Sequence, residues 1–195
     1  MALCSMGWDV VATDLPEVID TVLAQNIRNN LSALPPEGGI IQVRALDWTV
    51  DPNEWSWNDP GAIALVQPSP SSLPSSATDD TSLLGPPFDL IVTADTIYSS
   101  ELVAPLLRTL KALCSLSTTT AFGKTGAQRA PPIYLCVERR DPVLVDQVLS
   151  EAAKTWVVKR VPNNKLRQAM EKGGLSWDKS DWEDVEVWTF THMHD

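Results

Sequence analysis

Apolar residues along this chain fall into short runs that alternate with stretches of helical spacing. Asp9 to Thr13 (DVVAT) is a β-branched run of strand length, closed by Asp14. Pro16 follows, where its fixed φ suits the first turn of a helix, and Val18, Ile19, Val22, Leu23 and Ile27 then recur at helical spacing as far as Asn29 and Asn30. Gly38-Gly39 announces a second strand over Ile40 to Leu46. A third run, Phe88 to Ala94 (FDLIVTA), leads into a stripe of Leu102, Leu106, Leu110 and Leu113, with Pro105 near the start of that helix. Beyond it the pattern predicts a strand at Ile133 to Glu138, a helix from about Pro142 to Ala153, a strand at Trp156 to Val161 and a last strand at Val185 to Thr191.

Two stretches break this rhythm. Gln67 to Pro87 is rich in Ser and Pro and lacks the apolar content to build a core, so a surface insertion is expected there. Ser117 to Pro132 reads as a second loose stretch. Strands that alternate with helices and are apolar on both faces predict a doubly wound α/β domain, with a parallel sheet covered on both sides. The last two strands lack a clear long helix between them and are expected to pair antiparallel at one edge.

Composition narrows the picture. A length of 195 residues suits one domain spanning 1–195, and a formal net charge of -10 repels phosphate backbones, which excludes nucleic acid as a favoured partner and suits a basic protein instead. Cys4, Cys114 and Cys136 are odd in number, far apart and set in apolar sequence, as expected of reduced, buried thiols. No apolar run approaches the roughly 18 residues of a membrane span, and Met1 to Met6 lacks the pattern of a signal peptide. A soluble monomer of the cytoplasm or nucleus is expected.

Ligands of open parallel sheets bind beyond the carboxyl ends of the strands, and three strands here end in notable residues. Asp14 is placed to accept both hydroxyls of a ribose, or else to cap the following helix. Asp47-Trp48 suits an adenine, with Asp47 accepting from its amino group and Trp48 stacking on its face; the plainer reading is a turn aspartate followed by a core tryptophan. After the third strand, Ala94 is small enough for a flat ring to approach the backbone, and Asp95 and Tyr98 can face a reacting centre, or serve as a cap and a half-buried loop aromatic. Gly123-Lys124-Thr125 ends like a phosphate-binding loop, but position 118 is Thr where that motif needs Gly. His192 and His194 read as a frayed tail rather than a metal site, and no metal is expected. With both histidines in that tail there is no Ser-His-Asp arrangement. Trp177 and Trp182 flank acidic residues and could line a peptide-facing surface.

Taken together, the runs VVATDLPEV (Val10 to Val18), Asp47-Trp48 and FDLIVTADTIY (Phe88 to Tyr98) resemble the methyltransferase-like protein-lysine methyltransferases, the family related to nicotinamide N-methyltransferase. The D-x-x-Y of Asp95 to Tyr98 is the most specific mark, and the ending WEDVEVWTFT (Trp182 to Thr191) is similar to fungal members that methylate elongation factor 1-alpha. The resemblance implies a Rossmann-like seven-strand sheet and S-adenosylmethionine as cofactor. It implies that Asp14 holds the ribose, that Trp48 with Asp47 lies against the adenine, that Ala94 contacts the cofactor, and that Asp95 and Tyr98 lie on the lysine side of the site. It also implies a strand, a Gly-rich loop and a helix ahead of Asp9, whereas only Gly7 precedes Asp14. An incomplete domain, lacking those elements and weakened in cofactor binding, is therefore expected. A non-catalytic interaction module of the same fold, or a small-molecule N-methyltransferase, are the alternatives.

Overall fold

A computed structural model describes residues 1–66, 82–120, 130–176, 182 and 184–192. Most of both predicted loose stretches, Gly123 to Thr125, Trp177 and His194 lie outside the described residues. The chain divides into two compact units, Met1–Gly85 and Pro86–Asp195, and the class is mixed α/β.

The first unit starts with a short helix α1 (Ala2–Ser5) and strand β1 (Val10–Asp14), the β-branched run. Leu15 is extended and Pro16 opens the helix α2 (Pro16–Val18), as its fixed φ favours. The helix does not continue as a regular α-helix. A π turn over Ile19–Leu23 intervenes before α3 (Ala24–Asn30). The wider turn brings Ile19, Leu23 and Ile27, spaced by four, toward the interior, while Val18 and Val22 of the expected stripe are left exposed. Strand β2 (Ile41–Leu46) then pairs parallel with β1, Val10 opposite Ile41 and Asp14 opposite Ala45. Gly39 is needed on the way: a Cβ there would lie 2.0 Å from the Trp8 carbonyl oxygen. A third parallel strand, β3 (Ala62–Ala64), was not expected and pairs with the end of β2.

This sheet has the order β1-β2-β3. Leu46, Val50, Ile63 and Ala64 form its core cluster, with Val11, Trp48, Trp55 and Trp57 packed against it. Arg44 on β2 is fully buried beside Trp57, its Nη1 donating to the Leu84 carbonyl and its Nη2 to those of Ser56 and Trp57. A guanidinium thus fastens two loop segments to the strand.

The second unit carries β4 (Ile91–Ala94), α4 (Val103–Thr120), β5 (Ile133–Glu138), α5 (Pro142–Ala152), β6 (Trp156–Arg160), α6 (Asn163–Lys172) and β7 (Val185–His192). Strand order is β4-β5-β7-β6, with β4 and β5 parallel and β7 antiparallel to both β5 and β6. The last two strands do pair antiparallel, but β7 lies inside the sheet and β6 takes the edge. Helix α4 runs to Thr120, through the start of the stretch expected to be loose. There Ser117 and Thr118 donate their hydroxyls to the Leu113 and Cys114 carbonyls, and Ser117 Oγ also accepts from the Phe88 amide, which ties this part of the helix to the segment ahead of β4.

Among the described residues of this unit, one face of the sheet is buried more deeply than the other. Burial alternates along β5: Ile133, Leu135 and Val137 are buried, while Tyr134 and Glu138 are exposed and Cys136 is half-buried. The buried side includes Phe190, stacked on Trp156, and the helix residues Val103, Leu144 and Val148 form a cluster of their own. Val92 and Tyr134, paired in register, remain exposed on the opposite face. Glu186 on β7 is buried and accepts from Arg139, Arg160 and the Trp188 indole. Among the described residues no helix is long and apolar enough to cross a membrane.

Candidate functional site

Parallel strands place their carboxyl ends at one side of a sheet, and the second unit has its cavity there. Strand β4 ends at Ala94, and Asp95 turns the chain with φ +52°, the one non-glycine residue with positive φ among the described residues. Asp is among the residue types that tolerate this left-handed conformation. The Asp95 amide still donates to the Cys136 carbonyl of β5, and Thr93 and Thr96 share a hydroxyl hydrogen bond of 2.6 Å across the turn. Tyr98 follows with its ring largely in solvent.

On the neighbouring strand, β5 ends in the charged run Glu138-Arg139-Arg140-Asp141. Asp141 caps α5 by accepting from the Leu144 amide at 3.0 Å. Arg139 is drawn to Glu186 and Asp146. Arg140 instead lies between Glu138, which it meets through Nε at 2.9 Å and also through Nη2, and Asp95, whose Oδ2 is 3.5 Å from Nη1.

Together with Ile97, Tyr98 and Leu144 these groups line a cavity of about 440 Å³, within the range of small-ligand sites. The hydrogen bond from Arg140 holds the Glu138 carboxyl below its ordinary range, and Arg140 is raised by Glu138 first and by the Asp95 charge second. Burial, with a smaller contribution from the Asp95 charge, pushes the Cys136 thiol up.

Asp95 and Tyr98, singled out in the sequence, are thus brought to one cavity, with Ala94 exposed at the end of the same strand. Glu138, Arg140 and Asp141 were missed. Their signal was a run of charges directly after an apolar strand, which reads just as well as a solvated turn.

The other predicted residues belong to the first unit. Asp14 is half-buried at the end of β1, and its Oδ1 accepts from the Leu15 amide rather than capping the helix. Asp47 follows β2 two positions after Ala45, the partner of Asp14, so both carboxylates stand at the same side of that sheet. Asp47 Oδ1 accepts from the Thr49 amide and hydroxyl, and Trp48 packs on the core cluster, which is the local geometry of a turn aspartate and a core tryptophan. Among the described residues no group of three or more His, Cys, Asp or Glu side chains is arranged to hold a metal ion. No protein-family model matches the chain, and no curated protein matches it either.

Proposed function

We propose that the chain is a protein-lysine N-methyltransferase domain dependent on S-adenosylmethionine. The observation that carries this reading is the convergence of Asp95, in its left-handed turn, and Tyr98 on one cavity at the carboxyl end of β4. The antiparallel return of β7 between β5 and β6 supports the seven-strand sheet of that family.

In this reading Asp14 would hold the ribose of the cofactor, Asp47 and Trp48 the adenine, and Ala94 would lie against the cofactor. Of the Asp47 carboxylate, Oδ1 is engaged by Thr49, so the adenine amino group would use Oδ2. The bound cofactor supplies a methyl group on a sulfonium. The protein's own task is to deliver a neutral lysine amine in line with it, which asks for positioning more than for strong acid or base. Asp95 would orient the amine by accepting its N–H, while Ile97, Leu144 and the Tyr98 ring receive the methylene stem. An acidic chain acting in the cytoplasm suits a basic protein substrate such as elongation factor 1-alpha.

The formal net charge of -10, which suits a basic partner, favours a second reading, an interaction module of the same fold without turnover. Calorimetry with S-adenosylmethionine, on the 195-residue chain and on a version extended upstream, separates the two. Binding to either supports the enzyme reading, and binding only to the extended version makes this chain an incomplete domain. Absence of binding in both overturns it.

A further inference from the structure

The cavity at the end of β4 and β5 holds carboxylates from Asp95, Glu138 and Asp141 and a single cation, Arg140. The four groups are not equivalent. Asp141 is committed to the start of α5, and Arg139, next in sequence to Arg140, is engaged with Glu186 and Asp146. What remains is a guanidinium set between Glu138 and Asp95. We propose that Arg140 is the specificity-determining residue of this cavity: its guanidinium holds, between Asp95 and Glu138, the place that the amine of a lysine substrate takes. The inference rests on the lysine reading of Asp95 and adds what decides access to it.

Three features separate this from an ordinary surface ion pair. First, Arg140 contacts Glu138 through Nε and Nη2, which leaves Nη1 for Asp95, so one side chain bridges the carboxyl ends of two strands across the cavity. Second, the Asp95 contact is the long one at 3.5 Å and its partners are well exposed, 67% for Arg140 and 57% for Asp95, so an incoming ammonium can displace it at small cost. Third, the lining also has an apolar part, Ile97 and Leu144, which suits the methylene stem of a lysine. A cation must therefore compete with Arg140, while a neutral chain of the same length gains nothing from its removal. The site rejects weak or poorly presented cations and accepts one that is held in place by a larger substrate.

The test is a titration of the full chain with n-butylammonium, followed by NMR on amide signals of Asp95 to Tyr98 and Glu138 to Asp141, with n-butanol as the neutral control. The cofactor is left out, so the result does not depend on methyl transfer. Arg140→Gln is expected to bind the ammonium at least about threefold tighter than wild type, with n-butanol unchanged. Adding Asp95→Asn to that variant is expected to return the affinity to the wild-type value or below. Thermal melts check that the variants are folded, which the exposure of both residues favours. Equal or weaker binding by Arg140→Gln, or shifts that do not fall on these residues, overturns the proposal. Failure of the enzyme reading is seen separately, as absence of S-adenosylmethionine binding with the ammonium response intact.

Discussion

Arg44 offers the sharpest test of how the first unit holds together. Replace it by methionine, which keeps the length of the side chain and removes the guanidinium. The wild-type side chain has no exposed surface; Nη1 reaches the Leu84 carbonyl at 2.9 Å, and Nη2 reaches those of Trp57 at 2.9 Å and Ser56 at 3.3 Å. Hydrogen bonds to a charged group contribute about 1.5–3 kcal/mol each, so the two short ones are worth roughly 3–6 kcal/mol. Burial works against this. It pulls the pKa of Arg44 down, with Asp59 pushing back, and Nε has no hydrogen-bond partner, a deficit of about 1–3 kcal/mol. The difference leaves a net loss of about 3 kcal/mol for Arg44→Met. In a unit the size of Met1–Gly85 each kcal/mol moves the melting midpoint by about 4–8 °C, so a drop of about 12–24 °C is expected. Four tryptophans lie in that unit, Trp8, Trp48, Trp55 and Trp57, and their emission on heating reports the transition. Arg44→Lys keeps the charge without the fork and should fall between the two. A methionine variant that melts within about 3 °C of wild type would refute the reasoning.

Three further outcomes follow from the packed elements. Gly39→Ala drives a Cβ to 2.0 Å from the Trp8 carbonyl oxygen, so the backbone must move; a loss of about 1–3 kcal/mol or more in urea denaturation is expected. Ser117→Ala removes the buried hydroxyl that accepts from the half-buried Phe88 amide and should cost about 1 kcal/mol by the same measurement. Burial pushes the Cys114 thiol up to about 11 from 9.0, so the folded chain keeps a proton that the unfolded chain releases first. That contribution is complete below about pH 9 and is lost as pH rises to about 11; Cys114→Ala should show a smaller fall in denaturation midpoint across that window than wild type.

Much of the strand pattern was legible because β-branched and apolar runs need only local sequence. Val10 to Thr13, Ile41 to Leu46 and Ile133 to Val137 all form strands within a residue or two of where the pattern put them. Pro16 and Pro142 mark helix starts by their own backbone preference. What was hidden depends on partners. Ala62–Ala64 is too short to announce itself and is a strand because β2 lies beside it. Ser117 to Thr120 looks like loop material, yet it is helical, with Ser117 buried and accepting from the Phe88 amide. Helix α6 offers only Leu166 and Met170 as half-buried apolar positions, one turn apart in a polar stretch. Tyr134 and Cys136 made β5 look apolar on both faces, since sequence cannot say which face a sheet leaves open. At the cavity, Asp95 and Tyr98 were suggested by their place after an apolar strand and by the resemblance they carry. Arg140 was not, because its ion pair is with a carboxylate 45 residues earlier in the chain.

The place of β7 also sets an order of events during synthesis. Among the described residues β6 joins its sheet only through β7, and β5 has β7 rather than β6 as its second neighbour. While the chain emerges from the ribosome, β4 and β5 can pair as soon as both are made, but β6 must wait with no strand to bind. Only when Val185–His192 has cleared the exit tunnel do both gaps close at once. A premature stop before Val185 would therefore do more than shorten an edge, for it would strand β6 and expose one side of β5 to aggregation.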